Sequence, residues 1–239
     1  MGVPGFLRTL SLVCLLGLVC RSVEAEDVDI NTLARIIQFF DNNYRQVEKK
    51  DNIEIVRQYA AAINVPKEQC QSGFVPDQNN FLKKEEEATN VKNKIYDPNL
   101  ALYQGDELIA AGTLERTEGK KTYKRHSEST LMNPPDKSPM STLLNKRKEG
   151  CVVFYTYNSP CVQTCIDING NYNILKMLET WGKREELKAF VFKDIWKFDT
   201  RKDLKENFKA ITKYVPLYRC VSAEECYKCE GADMDKCVQ

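Results

Sequence analysis

From Asn31 to Tyr44 the apolar residues Leu33, Ile36, Ile37, Phe40 and Tyr44 recur three and four positions apart, the spacing that gathers them on one helix face. Asn31 is the expected N-cap. The polar run Lys49-Lys50-Asp51-Asn52 breaks the pattern. Ile53 to Val65 is rich in β-branched and small apolar side chains and is closed by Pro66, which predicts a first, buried strand. The Ala60-Ala61-Ala62 run leaves a helix open as the alternative. Cys70 to Lys94 is polar and charged around Lys83 to Glu87, and reads as a short solvated helix or a loop insertion. Apolar runs at Asn99 to Tyr103 and Glu107 to Leu114 flank Gln104-Gly105-Asp106, as in a hairpin or a bulged strand. Gly119 to Arg125 reads as a basic loop. It leads into a helix from His126 to Met132, which Pro134-Pro135 stops.

The second half alternates more clearly. Pro134 to Gly150 reads as a loop with a basic run, Lys146-Arg147-Lys148. Cys151 to Tyr157 is the strongest strand pattern in the chain. Asn158-Ser159-Pro160 then turns into a helix carrying Cys161 and Cys165, with Pro160 at its first position. That helix is interrupted at Gly170 and resumes from Tyr172 to Trp181. Leu187 to Trp196 predicts a buried strand, Thr200 to Tyr214 an amphipathic helix with Leu204, Phe208, Ile211 and Val215 on one face, and Leu217 to Val221 a last short strand. Strands alternating with helices imply a parallel arrangement with helices packed on the sheet.

Composition places this chain outside the cell. Arg8, the apolar stretch Leu10 to Cys20 and the small residues around Val23-Glu24-Ala25 form a secretory leader. The apolar stretch is far shorter than the ~20 residues that span a bilayer, so no membrane anchor is expected. The mature chain is expected to start at Glu26, leaving 239 − 25 = 214 residues. These divide into a main domain at 26–221, with its N-terminal helix at 31–47, and a cysteine-rich tail at 222–239. Loss of Arg8, Arg21 and Glu24 leaves 35 − 2 = 33 basic and 34 − 1 = 33 acidic residues. Such neutrality argues against strong non-specific nucleic-acid binding, though not against a local basic patch. No N-glycosylation acceptor is present, because Asn158-Ser159-Pro160 has the wrong third residue for one at Asn158-Ser159.

The chemistry concentrates at two stretches. His126 is the only histidine, and Glu128 stands two residues on. Further along, Pro160 precedes Cys161 and Cys165. One imidazole and two thiolates make a three-ligand zinc site with the fourth position open to water. A glutamate beside it that binds no metal can shuttle protons. The alternative is a surface histidine with both cysteines in disulfides. If zinc takes Cys161 and Cys165, six mature cysteines remain: Cys70, Cys151, Cys220, Cys226, Cys229 and Cys237, an even set suited to three disulfides in an oxidising compartment. The basic runs Lys120-Lys121, Lys124-Arg125 and Lys146-Arg147-Lys148 flank the histidine helix, and read either as phosphate contacts or as solvated loops.

His126-Ser127-Glu128, Ser159-Pro160-Cys161 and the order of elements from Ile53 to Val221 resemble the AID/APOBEC-like nucleic-acid deaminases. The leader and the extra cysteines make the chain similar to the secreted branch of that superfamily, the SNAD group. The chain departs from the best-known members in having three residues between the cysteines where two are usual, and Asn158 where tryptophan is common. The resemblance implies a cytidine-deaminase-like three-layer α/β/α fold with a mixed five-stranded sheet. It implies zinc held by His126, Cys161 and Cys165, and Glu128 as the proton carrier. Tyr157, Asn158 and Ser159 would line the base pocket, and Lys124, Arg125, Lys146 and Arg147 would meet phosphates. The expected substrate is cytosine, with adenine second, in single-stranded nucleic acid or a nucleotide, in a secreted setting with defence as the role it would suit. The competing class is a secreted, disulfide-stabilised binding protein that keeps the fold without catalysis. In the implied fold the first strand and the Cys151 strand are antiparallel neighbours, so Cys70 is expected to pair with Cys151 and the tail cysteines among themselves.

Overall fold

The computed structural model of the protein describes residues 27–239, so the expected leader lies outside them. Helix α1, Ile30–Tyr44, starts one residue before the expected one. Its cap is Asp29, whose side chain accepts from Thr32 N at 2.8 Å. The expected single strand from Ile53 is two elements. Strands β1, Val47–Lys50, and β2, Ile53–Val56, form an exposed ribbon of their own. Asp51 and Asn52 close it in the left-handed region, at φ of 51° and 62°, as a two-residue hairpin turn demands. The buried strand is β3, Tyr59–Pro66.

A short 3₁₀ turn at Lys67–Cys70 follows, and helix α2, Ala88–Ile95, ends the charged insertion. Strands β4, Leu102–Gln104, and β5, Leu108–Gly112, pair as the expected hairpin. The stretch read as a basic loop is a second ribbon, β6, Leu114–Glu118, with β7, Lys121–Arg125. Helix α3, Ser127–Met132, follows directly. The stretch read as a loop after Pro134 contains helix α4, Pro139–Lys146, capped by Ser138 with proline at its start. Strand β8, Gly150–Asn158, helix α5, Leu175–Gly182, strand β9, Leu187–Asp194, helix α6, Leu204–Thr212, and strand β10, Leu217–Cys220, complete the alternation. Strand β11, Cys226–Lys228, and helix α7, Met234–Val238, lie in the cysteine-rich tail.

The main sheet is mixed and has seven strands in the order β11-β10-β9-β8-β3-β5-β4. Five are the expected ones; the short edge strands β4 and β11 extend them. Strands β8, β9 and β10 run parallel, while β3 is antiparallel to β8 and β5. Strict alternation separates two cores. Tyr59, Ala61, Ile63, Cys151, Val153 and Tyr155 face α1 and α2. Ala60, Ala62, Ala111, Val152 and Phe154 face α3 to α6. The small side chains of Ala60, Ala62 and Ala111 let α3 lie close against β3 and β5, which carries the start of that helix over the end of β8.

Cys70 and Cys151 are bonded, with Cα atoms 6.2 Å apart. In the tail Cys220 pairs with Cys226 and Cys229 with Cys237. The tail is continuous with the main body, since β11 pairs with β10 and the Cys229–Cys237 bridge is buried in the α3-to-α6 core. Among the described residues no helix is long and apolar enough to cross a membrane.

Candidate metal centre

Of the described cysteines, Cys161 and Cys165 alone are unpaired. They do not sit on a regular helix. A single turn follows Pro160, in which Cys165 N donates to Cys161 O at 2.8 Å and Thr164 N to the same oxygen at 3.3 Å. One turn of that geometry suffices to place two side chains four residues apart on one side.

His126 precedes α3 with extended backbone, and Glu128 lies in the helix's first turn. One ligand atom each from His126, Glu128 and Cys165 falls within 4.8 Å of the others, and the last two residues are buried. Cys165 Sγ is 3.6 Å from His126 Nδ1. Bonds of ~2.3 Å to sulfur and ~2.1 Å to nitrogen, set at the tetrahedral angle, also give an edge of about 3.6 Å. The donor set therefore fits a zinc ion. Cys161 is half-buried beside this cluster without being part of it, and its Sγ meets Thr164 Oγ1 at 3.8 Å. Burial above all, and then the neighbouring Glu128 and Cys161, pushes the Cys165 thiol well above its ordinary range. A thiol so placed ionises readily only when a cation sits against it.

Glu128 is held from several directions. Its Oε1 accepts from Thr156 Oγ1 at 2.8 Å and Gln58 Nε2 at 3.3 Å, and its Oε2 from Ser127 Oγ at 3.1 Å. Asn158 bonds Gln58 through both its backbone N and its Nδ2. Ser159 is buried, and its Oγ accepts from Trp196 N at 2.9 Å. Tyr157 is half-buried; burial, with Asp194 next, pushes its phenol up to about 12.

Two residues missed in the sequence complete the surroundings. Gln58 is one. Asp199 is the other: fully buried, it accepts from Val162 N at 2.9 Å and pairs with Lys202 at 2.6 Å. Asp199 and Ser159 together tie the segment 195–203 to the cysteine turn. That segment exposes Phe198, whose ring meets Trp196 at 5.2 Å and lies under Lys197 at 5.0 Å. The segment's only advance signal was its aromatic and basic composition; Gln58 and Asp199 themselves carried none.

The basic residues separate. Arg125 lies next to His126 and donates to the carbonyls of Ser129 and Asn133 at the end of α3. Lys124 pairs with Glu115 across the β6–β7 ribbon at 2.8 Å. Lys146 and Arg147 are not brought to the site: they pair with Asp106 and Glu107 at 2.9 Å each. Asn64 bonds the carbonyls of Glu107 and Arg147, which fixes this group at the other end of β3 from Gln58. The six residue steps from Gln58 to Asn64 amount to roughly 20 Å of strand.

An α/β/α sandwich carrying H-x-E at one helix start and P-C-x-x-x-C after a central strand has the architecture of the zinc deaminases. The family model described as Secreted Novel AID/APOBEC-like Deaminase 1 (SNAD1) matches residues 30–239, and the chain belongs to this family. No curated protein and no solved structure matches it.

Proposed function

We propose that the protein is a secreted, zinc-dependent hydrolytic deaminase of cytosine, carried by a nucleotide or by single-stranded nucleic acid. The observation that supports this most is the buried His126–Glu128–Cys165 cluster, with its 3.6 Å nitrogen-to-sulfur edge. His126, Cys165 and the neighbouring Cys161 would hold zinc. Bound zinc lowers the pKa of water toward ~7 and so supplies a nucleophile at neutral pH.

The remaining steps belong to the chain. Glu128 accepts the proton of the attacking water. It passes that proton to the ring nitrogen beside the amino-bearing carbon, then takes the proton of the new hydroxyl as the carbonyl forms and gives it to the departing amine, which leaves as ammonia. Thr156 and Ser127 fix the plane of its carboxylate. Asn158, bonded to Gln58 beside Glu128, would meet the base. The exposed Phe198, flanked by Lys197 and Arg201, offers a stacking face and positive charge to a strand leaving the pocket. The three disulfides suit an extracellular setting.

Glu128→Gln tests the reading. The variant keeps its fold and its zinc stoichiometry while ammonia release from cytidine or a cytosine-containing oligonucleotide falls by ~10²–10⁴. Activity on the oligonucleotide that drops steeply with added salt implicates the cations of the 195–203 segment. Zinc-loaded wild-type protein that deaminates neither substrate refutes the proposal.

A further inference from the structure

Gln58 precedes β3 and belongs to no motif, yet every hydrogen bond of its carboxamide goes to the candidate site. Nε2 lies 2.8 Å from Thr156 Oγ1 and 3.3 Å from both Glu128 Oε1 and Ser127 Oγ. Oε1 accepts from Asn158 N at 3.0 Å and from Asn158 Nδ2 at 2.7 Å. The register explains the meeting. Ala60 pairs with Thr156, so two residues back along β3 Gln58 falls opposite Asn158.

The orientation of this amide follows from its neighbours. A backbone N–H can only donate, so the Asn158 amide requires the Gln58 carbonyl to face it. The Gln58 NH₂ then points at Thr156 and Glu128. Thr156 has a single hydroxyl proton. Receiving from Gln58, it directs that proton to Glu128 Oε1 at 2.8 Å or to the Asn158 carbonyl at 3.1 Å. Gln58 therefore reaches the glutamate both directly and through the threonine. On its other side it engages the Asn158 NH₂ and leaves Asn158 Oδ1 with no hydrogen-bond partner among the described residues, on a half-exposed side chain.

We propose that Gln58 is a positioning residue of the deamination reaction. It fixes the carboxylate of Glu128 through Nε2 and, through Oε1, turns Asn158 so that its amide oxygen is presented to a hydrogen-bond donor of the nucleoside. This role rests on the deaminase reading above. A glutamine that served packing alone would tolerate any replacement of its volume.

The test compares zinc-loaded wild type with Gln58→Met, which keeps the volume and loses both polar ends, and Gln58→Glu. The glutamate keeps an acceptor for Asn158 but sets a second carboxylate against Glu128. Both variants are expected to bind one equivalent of zinc and unfold within a few degrees of wild type. Gln58→Met lowers kcat by roughly 10- to 100-fold, the order of effect that a misplaced reacting group produces, and raises KM for cytidine. Gln58→Glu lowers kcat at least as far, despite its near-identical shape. In ¹⁵N spectra the Gln58 side-chain NH₂ exchanges slowly and shifts in Thr156→Val. Active wild type alongside Gln58→Met or Gln58→Glu at wild-type kcat overturns the positioning role alone, as does a Gln58 NH₂ that exchanges as fast as that of an exposed glutamine. Wild type that carries zinc and deaminates nothing overturns the deaminase reading, and this role with it.

Discussion

Removing the Cys70–Cys151 bridge is expected to be the costliest disulfide loss in the molecule. Its two cysteines are 81 residues apart, whereas the tail bridges span 6 and 8. In the chain-entropy relation, closing a loop of that length constrains the unfolded chain by about 4.5 kcal/mol, against about 2.2 and 2.5 kcal/mol for the two tail loops. The larger figure is a sizeable part of the ~5–15 kcal/mol that holds a typical domain folded. Both cysteines are fully buried against the α1 side of the sheet, so Ala replacements also lose packing there.

The measurement is guanidinium unfolding of zinc-loaded protein, comparing Cys70→Ala/Cys151→Ala with Cys229→Ala/Cys237→Ala. The first pair should lose about twice as much stability as the second. Its m-value should rise, because the released unfolded chain expands. Zinc stoichiometry should not change in the folded variant. Cys151 opens β8 and Thr156 lies five residues on, roughly 17 Å along the strand. A tail pair that costs as much as the long bridge refutes the loop-length argument. Zinc loss in the folded Cys70→Ala/Cys151→Ala variant refutes the separation of bridge from site.

Asp41 accepts from Tyr59 and Tyr155 at 2.9 Å each and from Lys193 at 2.5 Å, which joins α1 to β3, β8 and β9. Asp41→Ala strands the lysine and is expected to cost about 3–5 kcal/mol in urea unfolding, part of which Lys193→Met restores in the double variant. Hydrogen bonds from Lys83 and then Lys146 hold the Asp106 carboxyl down at about 2. A depressed acid contributes stability above its unfolded pKa of ~3.9 and loses it as pH falls through the folded value. NMR titration should find Asp106 still ionised at pH 3, and Lys146→Ala should move its midpoint up.

The strand leading to the cysteines was legible, and the proposed metal motif stands out, because each rests on local pattern. The run Cys151 to Tyr157, six of its seven positions apolar or aromatic, admits little but a buried strand. The two ribbons were not legible for a related reason. Strands β1, β2, β6 and β7 are only four or five residues long and mostly exposed, so no buried face imposes an alternation. Asp51-Asn52 looks like a break because the hairpin turn needs residues that tolerate positive φ. Helix α4 had a signal, Ser138-Pro139 followed by Met140, Leu143 and Leu144 at helical spacing, but the Lys146-Arg147-Lys148 run masked it. The regular helix expected at Cys161 is a single turn: Cys165 O takes Ile174 N at 2.9 Å where a continuing helix would take the N–H four residues on, and Asp199, 37 residues after Val162, takes the otherwise unpaired Val162 N–H.

That last contact shows why part of the site lies beyond sequence reading. Strands β8 and β9 are parallel, so their C-terminal ends and the loops that follow lie together. Strand β3 runs the other way, so it is its beginning that meets those loops. Three chain segments separated by tens of residues are thereby forced together: the start of β3 with Gln58, the end of β8 with Thr156 to Ser159, and the end of β9 with the Trp196–Asp199 loop. Helix α3 brings His126 and Glu128 over them from the β6–β7 ribbon. His126 and the cysteines announce themselves because the proposed metal site restricts residue type at each position. Gln58 and Asp199 are ordinary polar residues, and only the register of an antiparallel pair and the parallel neighbour beside it gives them their partners. The residues proposed to orient the chemistry are thus set by topology, and those proposed to perform it are marked by residue type.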